Sequence, residues 1–228
     1  MNIVRRGLRR ARRDLRRRWR LREASRLGIT FARPVYIYRG PFDADSVVVD
    51  VGCAGDPDFS LHFIERFGAR CYGVDPTRKH AAALAAVTER TQGRFVHLSK
   101  AVAATPGVLT FHESEDNVSG SILEDHYNII ADRTRSYEVE AVTLRGLRES
   151  IPHDRCDLLK LDLEGAEYDL LAKVTTEDLR LFGQVFVEFH HHAIRRFTPA
   201  TTRSVVESIR ARGFQAFSLD DHNYLFFG

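Results

Sequence analysis

From residue 46 onward, the apolar positions change period several times. SVVVDVG (46–52) is a short β-branched run closed by glycine, which predicts a buried strand. PDFSLHFIERFG follows with Phe59, Phe63, Ile64 and Phe67 at helical spacing and Gly68 as a stop. ARCYGVDP predicts a second strand ending at Asp75-Pro76, and RKHAAALAAVTER an alanine-rich helix. RFVHLSKAV predicts a third strand, while GVLTFHES and YEVEAVTL read as shorter strand-like pieces. Between them, EDNVSGSILED has the polar and glycine content of a loop. DLLKLDL is a further strand, leading into a helix from about Gly165, and QVFVEFH (184–190) is another. PATTRSVVESIRARG predicts a helix between Pro199 and Gly213. FQAFSLD and NYLFF close the chain as two strands able to pair as a hairpin.

This alternation predicts an α/β fold: an open, mostly parallel sheet with helices on both faces. Ligands of such sheets bind outside the carboxyl ends of the strands. Asp50, Asp75, Asp162, Glu164, Glu188 and His190 all stand at such ends, so the expected site is a rim of acids with one histidine. Within DLLKLDLEGAE, strand alternation would put Lys160, Asp162 and Glu164 on one face and Leu159, Leu161 and Leu163 on the other. Asp162 then faces the ligand with Lys160 as its counter-ion, and Glu167 falls in the first turn of the next helix, where negative charge is favourable.

Composition adds one asymmetry. Hydrophobic and charged contents of 43% and 29% are ordinary for a globular chain of 228 residues. The first 26 residues, however, hold twelve arginines against Asp14 and Glu23, a net +10, so the remainder carries −7 within a total of +3. The division expected is a basic arm over 1–30 and a catalytic domain over 31–228. Leu8, Ala11, Leu15 and Trp19 would share one face of a helix in that arm, with arginine on the others. That is the pattern of a helix on an anionic membrane surface; docking on its own domain is the alternative, and nucleic-acid binding a weaker one. The arm has neither a signal-peptide core nor a membrane-spanning run. Cys53, Cys71 and Cys156 are too scattered for a disulfide framework or a cysteine zinc site, which suits a reducing, cytoplasmic setting, peripheral on the inner membrane face if the arm binds there.

The loop VVVDVGCAGDPDFS lacks the G-x-G-x-x-G of a dinucleotide fold, and its acid, Asp50, is poorly placed for a pyrophosphate. An acid there tolerates a cationic, phosphate-free ligand, as S-adenosylmethionine is. Asp75, twenty residues after Gly55, is placed to accept both ribose hydroxyls. Together VVVDVGCAGDPDFS, YGVDPT, the SGS of 119–121, DLLKLDLEGAE and VFVEFH resemble the FkbM family of S-adenosylmethionine-dependent methyltransferases over about residues 46–228. The resemblance implies the class I methyltransferase (Rossmann-like) sheet of about seven strands with an antiparallel end. It also implies O-methylation, often of sugars on glycolipids or other natural products. The loop departs from the family pattern, with Asp56 where glycine is usual and Gly55 one place early.

The candidate cofactor set is Asp50, Gly52, Cys53, Ala54, Gly55, Asp75, Pro76, Ala101 and Asp162. The catalytic set is His190, Asp162 and Glu164, with His190, expected near neutral pKa, as the base that takes the acceptor's proton. Mg²⁺ held by Asp162, Glu164 and Glu188 is the alternative route, and a three-histidine site at 190–192 is disfavoured because adjacent side chains diverge. The N/D-P-P-Y/F loop of base amino-methylation is absent, and no cysteine is placed for base C5 methylation. A small-molecule or glycolipid O-methyltransferase is therefore expected, and an RNA-binding methyltransferase or accessory protein docking through the arm is the other class of answer.

Overall fold

The computed structural model describes residues 15, 17–32 and 35–228. Helix α1 (17–26) leads into a hairpin of β1 (Ile29–Ala32) and β2 (Tyr36–Arg39). The chain continues through β3 (Val47–Val51), α2 (Asp58–Phe67), β4 (Arg70–Val74), α3 (Ala81–Arg90) and β5 (Phe95–Leu98). Next come β6 (Ala101–Val102), β7 (Gly107–Ser114), β8 (Gly120–Ser121), α4 (Tyr127–Ala131), β9 (Thr134–Val142) and α5 (Leu144–Ser150). The last third holds β10 (Leu158–Leu161), α6 (Glu167–Lys173), α7 (Thr176–Leu179), β11 (Gln184–Glu188), α8 (Pro199–Ala211), β12 (Gln215–Ser218) and β13 (Asn223–Phe227).

The central sheet has seven strands in the order β12-β13-β11-β10-β3-β4-β5, and β13 runs against the rest. The expected α/β class, strand number and C-terminal hairpin are all present. Every residue of β3 and β10 is buried, because helices cover both faces. Val47, Val49, Val51, Leu159 and Leu161 pack on one side, and Val48, Leu158, Phe59 and Phe63 on the other. Gly68 ends α2 in a left-handed conformation, and a Thr198–Thr201 capping box with Pro199 starts α8.

The middle of the chain differs from the sequence reading. RFVHLSKAV is two strands in different sheets, since the chain turns at Ser99-Lys100 after β5. The two pieces read as short are eight and nine residues long, pair antiparallel along their length, and form with β6 and β8 a second, four-stranded sheet. Their alternation is weak because one face is largely exposed, so burial does not sharpen the pattern. The hairpin β1–β2 and helices α4, α5 and α7 are likewise too short to stand out by period.

Candidate active site

Gly52 ends β3 in a left-handed conformation (φ 75°), and a Cβ there would lie 1.9 Å from the carbonyl oxygen of Asp162. Only glycine lets the β3 and β10 exits approach so closely. Ala54 takes a second left-handed position (φ 53°), and its amide donates to Asp75 Oδ2 at 2.9 Å. The loop with the displaced glycine is thus closed from the end of β4.

Lys160 explains the charge inside the leucine run. Its Nζ donates to Gly52 O at 3.0 Å and lies 3.1 Å from both Asp50 Oδ1 and Asp162 Oδ2. Burial alone would discharge this lysine, but Asp162 and Asp50 hold its proton well above the ordinary range. Asp50 is fully buried, also accepts from Ser60 Oγ at 2.8 Å, and lies beneath the cleft rather than on its wall. Its charge is spent on Lys160. Cys53 is also buried, and desolvation with Asp50 and Asp75 nearby keeps its thiol protonated.

The cleft, with the open space at its mouth included, comprises about 770 Å³. Gly52, Ala54, Asp75, Pro76 and Asp162 of the candidate cofactor set line it on the side of the central sheet, and Ala101 of the same set lines it from β6. Phe111, Val118, Gly120, Ser121 and Ile122 of the second sheet and its loop form the facing wall. Asp75 accepts from the amides of Ala54 and Thr77, with His80 Nδ1 3.6 Å from Oδ2, and its carboxylate lines the cleft. Burial would raise its pKa, but His80 and Thr77 beside it more than offset this, and the carboxyl sits below its ordinary range. Apolar walls from Val74, Ala101 and Ile122, with Asp75 and Asp162 among them, fit a flat base, a ribose and a cationic amino-acid tail.

Beyond Asp162 the strand alternation expected for Glu164 does not hold. β10 stops at Leu161, and Glu164 (φ 49°) and Gly165 (φ 102°) are consecutive left-handed residues that turn the chain into α6. A Cβ on Gly165 would strike Ile194 at 2.6 Å. The turn still brings Glu164 to the site, because His190 arrives from the end of β11. His190 Nε2 lies 3.5 Å from Asp162 Oδ1 and 3.7 Å from Glu164 Oε2, and Nδ1 lies 3.3 Å from Glu167 Oε1. Glu167 does begin α6, but its main role is not with the helix dipole. It is fully buried and accepts from the amides of Gly165 and His190 at 2.8 and 2.7 Å.

The expectation of a near-neutral His190 is corrected. Burial favours the neutral ring, but the Glu167 hydrogen bond and the charges of Glu167, Asp162 and Glu164 outweigh it and push the pKa up to about 10. Glu188 stays half-buried outside the cluster, its pKa raised to about 7 by desolvation and Asp162. Among the described residues, the group able to hold a metal ion is Asp162, Glu164 and His190, so His190 stands where Glu188 was expected. His191 stacks on His222 and bonds Thr202, and the His192 ring lies 5.7 Å from His190 and 5.3 Å from His222. His126 was missed by the sequence reading. It caps α4, is almost fully buried, and places Nε2 2.9 Å from Glu164 Oε2. A single histidine in a polar loop carries no local signal of that role.

A signature described as the methyltransferase FkbM domain matches residues 50–216. No curated protein matches the chain. Among solved structures, fibrillarin from Methanococcus jannaschii is 10% identical over 88% of this chain and 70% of its own (TM-score 0.48). Aeropyrum pernix fibrillarin with natively bound S-adenosyl-L-methionine is 12% identical over 82% and 68% (TM-score 0.44). A precorrin-6y C5,15-methyltransferase from Geobacter metallireducens is 10% identical over 86% and 91% (TM-score 0.40). With the matched segment covering most of the domain, the chain belongs to the FkbM family of S-adenosylmethionine-dependent methyltransferases.

Proposed function

We propose that the enzyme methylates a hydroxyl group, on a sugar carried by a glycolipid or another natural product. The observation that carries this reading is the setting of His190, held by Glu167 at one nitrogen and presented at the other to Asp162 and Glu164 at the edge of the cleft. A hydroxyl is a weak nucleophile, and removing its proton as it attacks is worth about 10²- to 10⁴-fold. The bound cofactor supplies a methyl group on a sulfonium. The acceptor oxygen must line up behind that methyl, a demand the two facing walls of the cleft suit. Positive charge brought beside Asp162 opposes the carboxylates that hold a proton on His190, so the ring gives up its Nε2 proton to solvent before the reaction. Nε2 then takes the hydroxyl proton, and Glu167 orients the ring and balances the imidazolium that forms.

A labelled-methyl assay against lipid extracts and simple glycosides tests this reading. Label should enter a hydroxyl-bearing product, and His190→Gln should lower turnover about 10²- to 10⁴-fold with cofactor affinity retained. Label that enters only nucleic acid or protein would overturn it. The geometry of Asp162, Glu164 and His190, whose ligand atoms lie within 4.8 Å of one another, favours one second reading. A divalent cation there would polarise the hydroxyl directly, with two carboxylates suited to Mg²⁺ and an imidazole that suits Mn²⁺ or a later metal. Chelation separates the two: activity lost on chelation and restored by Mg²⁺ or Mn²⁺ identifies the metal route, and unchanged activity the protein base.

A further inference from the structure

Helix α1 and the helical residue Leu15 ahead of it carry two large apolar side chains that the body of the protein does not cover. Leu15 is 70% exposed and Trp19 is 62% exposed, whereas Ala24 is 1% exposed and packs into the core beside Ile29 and Ala32. At 100° per residue, Leu15 and Trp19 fall on the side of the helix opposite Ala24. Their neighbours on that outer side, Arg18, Arg22 and Arg26, are exposed as well. The alternative of an apolar stripe docked on its own domain therefore fails for these residues. Leu8 and Ala11, the other half of that stripe, lie outside the described residues.

The helix is also fixed in place. Arg20 donates to Leu219 O at 2.9 Å and to Asp221 Oδ1 at 2.6 Å, both in the turn joining β12 to β13. That turn stands at the carboxyl rim of the central sheet, since Asn223 at the start of β13 pairs with Glu188 at the end of β11. His222 of the same turn stacks on His191, next to His190. The N-terminal end of α1 thus stands on the rim that holds the candidate active site.

We propose that the outer face of α1 docks on an anionic lipid bilayer. Exposed apolar and arginine side chains interleave on one face of a helix that is already formed, the arrangement of a helix lying in the headgroup region. Charge complementarity favours this occupant. The first 26 residues carry +10 and the rest of the chain −7, so a negative surface attracts the arm, repels the body and orients the molecule. Docking sets the bilayer beside the rim, where an acceptor anchored in the membrane has the shortest path to the cleft. The docking itself does not depend on the acceptor.

Trp19 is the chain's single tryptophan, so its fluorescence reports the contact in the unmodified protein. Phosphatidylglycerol–phosphatidylcholine vesicles should shift its emission to the blue, and brominated acyl chains should quench it. Pure phosphatidylcholine should do neither, and the effect should weaken as salt shortens the screening length. In a sedimentation assay with the same anionic vesicles, the full-length variant carrying Leu15→Ser and Trp19→Ser should bind at least about tenfold more weakly, with its thermal midpoint unchanged. Trp19 emission unmoved by anionic vesicles would overturn the proposal, as would equal binding by the double variant. Binding to polyuridine at low salt without quenching by brominated lipid would assign the arm to nucleic acid instead. None of these readouts involves methyl transfer, so a failure here is separable from a failure of the proposed reaction.

Discussion

Asp75 does two jobs at the scale of a single side chain: it closes the glycine loop through the Ala54 amide, and it lines the cleft. Asp75→Ala should weaken S-adenosylmethionine binding by at least about 1.5–3 kcal/mol, the size of one hydrogen bond to a charged group, as calorimetry would show. Its titration gives a second test. The folded-state pKa is depressed, so the carboxylate stabilises the fold above its unfolded value of about 3.9, and that contribution is lost as pH falls through the folded value. Asp75→Asn should be less stable than the parent in urea at pH 7, with the deficit shrinking as pH falls below about 3.9. Gly52 is constrained by backbone instead. Gly52→Ala forces a Cβ against the Asp162 carbonyl at positive φ, and should cost about 1–3 kcal/mol of stability together with cofactor binding.

Among elements, the antiparallel pair β7–β9 matters most, because it turns an open sheet edge into a walled cleft. Phe111 on β7 is buried, lines that wall and packs against Gly120, where a Cβ would approach its ring at 2.5 Å. Phe111→Ala should destabilise the protein by about 3–5 kcal/mol and loosen the wall, lowering cofactor affinity beyond what unfolding accounts for. Val108, on the same strand but 66% exposed, is the control. Val108→Ser should leave both the thermal midpoint and cofactor affinity near the parent values. A Phe111→Ala variant with parental affinity would assign the wall a purely structural role.

For the whole molecule, the basic arm and the domain do not separate at residue 30. Ala24 belongs to the core, Arg20 is tied to the β12–β13 turn, and β1–β2 joins the body through paired hydrogen bonds between Arg39 and Gln184. Deleting residues 1–26 removes a buried side chain and an anchoring arginine, and should lower the thermal midpoint by several degrees, on the order of 1–2 kcal/mol. A midpoint equal to that of the full chain would show that α1 adds nothing to the body. Among the described residues no helix is long and apolar enough to cross a membrane.

Strand identity in the central sheet was legible in the sequence because strands buried on both faces read as unbroken β-branched and leucine runs, as in VVVDV and LLKL. The glycine loop, Asp75 and DLLKLDLEGAE were legible for a related reason: close backbone approach and buried charge each demand particular residues at fixed spacing. What remained hidden depends on contacts between distant segments. No local pattern says that Lys160 neutralises Asp50 as well as Asp162, that Glu167 holds His190, or that His126 reaches Glu164. The state of His190 was misjudged for the same reason, because the three carboxylates of residues 162–167 surround it only once β10 and β11 pair side by side. The second sheet escaped notice because half-exposed strands carry a diluted alternation, yet it makes the wall of the cleft. The sequence by itself determined the α/β class, the family and the chemistry available at the strand ends. Tertiary structure alone decided which of those groups spend their charge on one another and which remain to act, because pairing and desolvation are set by distance in space.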